Sequence, residues 1–116
     1  MTLTGSQIYD LLNQQWSSQP QRILKVSGLT YTWDFNRPLA DRVVEVRQNG
    51  RPIDRAAIYS VTTNDFLAAG GDNFGIFLKG ENQRGGPIDL KVLISYLEGF
   101  SWSFAAAIEG RITRVN

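Results

Sequence analysis

The chain has 116 residues and a hydrophobic fraction of 42%, enough for one domain with its own core. Lys+Arg 12 against Asp+Glu 11 leave a formal net charge of +1, and the arginines are scattered. There is thus no basic face for a nucleic-acid polymer or an acidic membrane. Cysteine and histidine are both absent, which removes disulfides, thiolate chemistry, Ser-His-Asp and Cys-His catalysis and H-E-x-x-H zinc sites. A di-metal phosphoesterase centre would lack its usual histidines.

Thr4-Gly5-Ser6-Gln7 has the form of a capping box and opens a predicted helix. Ile8, Leu11, Leu12 and Trp16 share one face of it, which marks Trp16 as a core anchor; the helix is expected to end near Trp16. Ser17 to Pro20 reads as a loop, and Ile23 to Val26 as a short apolar stretch. Leu29, Tyr31, Trp33 and Phe35 alternate with polar residues, a strand with one large apolar face suited to packing on a helix. Asn36-Arg37-Pro38 is a turn. Arg42 to Gln48 is a second strand, and Asn49-Gly50 a hairpin signal, because both residues tolerate positive φ. The chain returns through Arg51-Pro52-Ile53, and Ile58 to Thr63 is a further strand.

Gly80 to Gly86 is a polar, glycine-rich surface loop. Pro87-Ile88-Asp89 opens a second helix, with Leu90, Leu93, Ile94 and Leu97 as its apolar face and Gly99 as its stop. Arg111 to Val115 is a terminal strand. The pattern predicts an α+β fold, with a mixed, mainly antiparallel sheet and two principal helices, spanning residues 1–116 as one domain. No apolar run approaches the roughly 20 residues needed to span a bilayer, and no signal peptide is visible.

The segment Asn64 to Phe74 differs in kind. Gly70 and Gly71 permit a tight turn and close approach of a ligand. Asp72 follows, placed to accept hydrogen bonds from a diol, and Phe66 precedes with a flat ring face. A ring and a carboxylate suit a nucleoside, through stacking on the base and bonding to the ribose hydroxyls. The same spacing also fits a plain Gly-Gly turn, with Asp72 bonded to local amides and both phenylalanines in the core.

Several blocks resemble, in order, the C-terminal domain of the 5'-nucleotidase family. Leu24-Lys25-Val26-Ser27-Gly28-Leu29-Thr30-Tyr31 is similar to its V-S-G-x-x-Y strand pair. Arg37-Pro38 through Asp41-Arg42-Val43 is similar to its P-x-x-D/G-R-V turn. Tyr59 to Phe74 resembles Y-x-V-x-x-N-x-F/Y-L-A-x-G-G-D-G-F, and Gly110-Arg111-Ile112 the closing G-R-I. The opening Leu3-Thr4-Gly5 and Leu11 to Trp16 resemble the first helix.

The resemblance implies a two-domain hydrolase of nucleoside phosphates or related compounds. Two divalent metals would sit in an N-terminal metallophosphoesterase domain, outside this chain, which itself holds no cofactor, metal site or catalytic residue. Phe66 matches one wall of the base clamp and Asp72 the ribose-binding aspartate. Gly70 and Gly71 match the turn that presents it, Asn64 a position that fixes the loop, and Phe74 a core aromatic. Asn73 stands where the family usually has glycine. The second aromatic wall and the phosphate-binding arginines lie upstream in the family, so the chain is expected to be truncated and to hold half a clamp.

Two other readings remain open at this point: a non-catalytic interaction domain, and a self-contained enzyme using Asp65, Asp72 or Glu81. Truncation is further expected to expose a sheet edge or apolar groove, leading to dimerisation or a mobile Phe66 loop. The family implies an extracytoplasmic parent, periplasmic, wall-attached or secreted.

Overall fold

The computed structural model describes residues 1–116. Thr4 caps the first helix, α1 (Gly5–Asn13), as the capping box predicts. Its hydroxyl accepts from the Gln7 amide at 3.2 Å, and the Gln7 side chain accepts from the Thr4 amide at 2.8 Å. A 3-10 turn, Gln14–Trp16, extends the helix to the expected end. Ile8, Leu11, Leu12 and Trp16 are all buried.

The predicted central hairpins form a four-stranded sheet from β2 (Thr30–Asp34), β3 (Val43–Gln48), β4 (Arg51–Pro52) and β6 (Ile112–Val115), in the order β4-β3-β2-β6. β2 and β3 are antiparallel, with a bulge after Thr32 that leaves Val44 exposed. Asn49 and Gly50, both at positive φ, turn β3 into β4. β6 runs parallel to β2, so the sheet is mixed. Tyr31 and Trp33 of the expected apolar face meet the helix side, the Trp33 ring 5.0 Å from that of Trp16, whereas Phe35 lies beyond β2 and is 47% exposed.

The structure departs from the sequence reading at three places. Thr2–Thr4 is a strand, β1, pairing antiparallel with β5 (Ile58–Ser60), where the sequence suggested only an approach to a helix. β5 itself stops at Ser60, short of the expected Thr63, although the Val61 amide still donates to the Met1 carbonyl at 2.9 Å. The second long helix, α3 (Asp89–Glu98), forms where predicted, yet none of its residues is buried.

The core is confined to one part of the chain: its 13 buried hydrophobic residues all lie between Leu3 and Phe77. Polar side chains at the end of α1 lock this core to its surroundings. The Tyr9 hydroxyl accepts from the Val46 amide at 3.0 Å, and the Asn13 side chain from the Val43 amide at 2.9 Å. Gln15 is fully buried. Its amide donates to the Leu12 carbonyl at 2.7 Å. Its oxygen accepts from the Leu24 amide at 2.7 Å and from the Tyr31 hydroxyl at 3.1 Å.

Replacing Gln15 by Leu strips the buried Tyr31 hydroxyl and the half-buried Leu24 amide of their acceptor. Each such group costs about 1–3 kcal/mol, so Gln15→Leu should lower the midpoint of urea unfolding and speed hydrogen exchange at the Leu24 amide. Unchanged exchange at Leu24 would contradict this role.

The same network makes an alkaline prediction. Burial raises the Tyr31 pKa above the usual tyrosine value, against a smaller opposing effect of the Gln15 hydrogen bond. The folded state then holds a proton that the unfolded chain has begun to release above about pH 10. The stabilisation is complete below that pH and is lost as pH rises toward the folded value. Stability measured against pH should fall above about pH 10, and Tyr31→Phe should make that decline shallower.

Candidate functional site

The segment after β5 is built from local capping chemistry. The Asn64 side chain accepts from the Leu67 amide at 2.9 Å and starts a single helical turn, α2 (Asp65–Ala68). Asp65 spends its carboxylate on the Phe66 amide at 2.8 Å. The turn ends at Gly70, which takes the left-handed conformation (φ 83°) that glycine adopts without steric cost. This short helix was not anticipated: four residues are too few to show helical periodicity.

Gly71 is required by contact rather than by its dihedrals. A Cβ there would lie 2.6 Å from the Phe66 ring and 2.6 Å from the Phe66 carbonyl oxygen. The ring is therefore laid directly over the Gly71 backbone, while 55% of the residue stays open to solvent. Asp72 and Asn73 follow at φ 54° and 65°, both left-handed. Asn73 thus adopts the positive φ that glycine supplies in the family pattern, a conformation asparagine accepts more readily than most residues. Phe74 turns inward and is buried in the core.

Phe66, Asn64, Leu67 and Asp72 line one side of an open cleft of about 550 Å³. The other side is the segment Gln21–Lys25. Arg22 reaches across to Asp72, nitrogen to oxygen 3.6 Å, with the carboxylate side chain 31% exposed. Lys25 lines the same cleft. The structure therefore brings together an exposed ring face, a carboxylate on a constrained turn and two cations.

Neither cation was singled out from the sequence. The fold places them there by two bonds to Gln15: the Arg22 amide to its carbonyl at 3.1 Å and the Leu24 amide to its side chain. A Gln buried at a helix end was the only available signal. Asp65 and Glu81 do not join this cleft. A second depression, about 460 Å³ beside the β3–β4 hairpin, has no carboxylate in its lining.

No three of the Asp and Glu side chains gather into a group able to hold a metal ion. No helix is long and apolar enough to cross a membrane.

The family model described as 5'-nucleotidase, C-terminal domain, matches residues 1–79, a span that contains the whole core. The chain is 31% identical over 122 residues to the trifunctional nucleotide phosphoesterase protein YfkN of Bacillus subtilis, covering 97% of this chain and 8% of that protein. It is 35% identical over 99 residues to the cell wall protein Lmo0130 of Listeria monocytogenes, covering 83% of this chain and 13% of that protein. The crystal structure of the 5'-nucleotidase precursor from Thermus thermophilus superposes at a TM-score of 0.87 with 34% identity, over 100% of this chain and 24% of that one. This chain thus spans less than a quarter of the length of each of these proteins. Its sequence blocks, its α+β fold and the match over residues 1–79 lead to one assignment: the chain belongs to the 5'-nucleotidase C-terminal domain family.

Proposed function

We propose that this chain is the nucleoside-recognition part of a metal-dependent, 5'-nucleotidase-like phosphoester hydrolase. In this reading the base stacks on Phe66, and Asp72 accepts hydrogen bonds from the ribose hydroxyls. Gly70 and Gly71 set the turn, and Asn64 fixes it through its cap. The observation that carries the proposal is the exposed Phe66 ring beside the Asp72 carboxylate on one open cleft. The left-handed backbone at Asp72 supports it, since such conformations cost energy and concentrate at functional sites.

On this proposal the chemistry lies elsewhere. In this reading the two divalent metals would be held by a metallophosphoesterase domain in a longer parent, as the family resemblance implies. Metal-activated water would attack the phosphoester there, while this chain holds the nucleoside. Similarity to a cell wall protein and to a nucleotidase precursor supports an extracytoplasmic parent.

Arg22 adds a competitor. Its guanidinium lies 3.6 Å from one Asp72 oxygen and so competes with the ribose for that carboxylate. An exposed pair of this kind is worth only about 0–1 kcal/mol, a weak latch.

One aromatic wall contributes about 1–3 kcal/mol of stacking, and a Kd of about 1 mM needs about 4 kcal/mol. Adenosine should therefore shift the amides of Phe66 to Phe74 in NMR titrations and saturate only at millimolar ligand or above. Asp72→Ala should abolish those shifts, and Arg22→Ala should tighten binding by roughly two- to threefold. Low-micromolar affinity, or shifts centred on Tyr31 and Trp33 instead, would sink the proposal. Gly71→Ala should displace the Phe66 ring, cost about 1–3 kcal/mol of stability as an overpacked site, and weaken adenosine binding. A variant with wild-type Tm would show that ring and glycine are not in contact.

A further inference from the structure

The side of the cleft that faces Phe66 is a stretch of chain tied on both sides of Lys25. The Leu24 amide donates to the buried Gln15 oxygen at 2.7 Å, and the Val26 carbonyl accepts from Arg111 at 2.9 Å. Leu24 and Val26 are partly buried and pack against the core. Ile23 and Lys25 are exposed, so burial alternates along Ile23 to Val26. That is the pattern of an extended chain whose neighbouring side chains point to opposite sides. Ile23 and Lys25 are thereby turned away from the core, and both line the cleft. The fold carries Lys25 to the cleft on anchored backbone.

The polar groups of the cleft are unequal in kind. Asp72 is its one carboxylate, and in the proposed nucleoside mode the ribose takes it. The Asn64 oxygen is engaged by the Leu67 amide, which leaves the donors of that side chain to a ligand. Arg22 and Lys25 are donors with no acceptor capacity, and Gln21 can serve either way. Arg22 is drawn to the Asp72 end by its ion pair. Lys25 is the cation left to meet the edge of a base stacked on Phe66.

The bases differ in a group that such a donor reads. Guanine and hypoxanthine carry the acceptor O6, and uracil the acceptor O4. Adenine and cytosine carry an amino donor at the same place. An ammonium set against an amino group leaves two donors without an acceptor, and a site built from donors therefore disfavours the amino base.

We propose that Lys25 determines specificity: its ammonium donates to the carbonyl oxygen of an oxo base, and the cleft takes inosine, guanosine and uridine in preference to adenosine and cytidine. This selectivity rests on the reading of the cleft as a nucleoside site.

The test compares pairs that differ chiefly in that group, inosine with adenosine and uridine with cytidine. Each is titrated into the 116-residue chain while NMR follows the amides of Phe66 to Phe74. The oxo member of each pair should bind roughly three- to tenfold more tightly. Lys25→Met keeps an unbranched side chain without the donor, and should bring both ratios to within about twofold of unity. Lys25→Glu supplies an acceptor instead and should reverse the preference toward adenosine and cytidine. Because Lys25 is exposed, neither substitution should disturb the fold, which unchanged amide shifts outside the cleft would verify. Equal affinities within each pair, or ratios that survive Lys25→Met, would overturn the selectivity while leaving the nucleoside site standing. Amides of Phe66 to Phe74 that respond to none of the four nucleosides would overturn both.

Discussion

The buried amide of Gln15 is the constraint on which the rest of the structure depends. Hydrophobic burial holds α1 against the sheet, but burial is non-directional and does not say where the connecting segment must run. Gln15 supplies the direction. It sits where α1 ends, bonds its own helix through Leu12, and accepts from both Leu24 and Tyr31. A buried polar group must be satisfied or it costs stability. That penalty converts a choice of loop paths into one path. Residues 22–24 are drawn to the end of the helix, and Arg22 and Lys25 come to face the loop from the other side of the cleft.

The loop opposite is fixed by a different economy of groups. Asn64 caps, Asp65 bonds the next amide, and Gly70 reverses the chain, so almost every polar atom at the start of the turn is committed locally. Asp72 is the exception. Its backbone is held in the left-handed region and its carboxylate meets only a loose, partly exposed arginine. Phe66 is likewise exposed, while its neighbours Phe74 and Phe77 are buried. Two groups left uncommitted by a tightly committed loop, side by side on one cleft, are what separate this segment from a plain Gly-Gly turn.

What could be read from the sequence was what is encoded locally. The capping box at Thr4 and Gln7, the Asn49-Gly50 turn and the alternation through Tyr31 and Trp33 each need only a few neighbouring residues, and each formed as expected. The ordered blocks from Leu3 to Ile112 named the family because many short patterns in sequence are more specific than any one of them. The pairing of β1 with β5 was not legible, since two three-residue strands some fifty-five positions apart carry no periodicity of their own. Arg22 was missed for the same reason: only the long-range bonds of Gln15 bring it near Asp72, and neither residue's neighbours announce the other. The helix over Asp89–Glu98 was legible from its apolar stripe, but a stripe states that a face needs a cover without stating whether the chain supplies one.

That last distinction divides the molecule. Residues Leu3 to Phe77 both form the core and carry the cleft, so any change that loosens Gln15 or Gly71 acts on stability and on the candidate site together. The segment Glu81 to Gly110 obeys other rules. Its aromatic residues Tyr96, Phe100 and Phe104 pack on one another at 4.9 to 6.0 Å, which gives it local order without any buried residue.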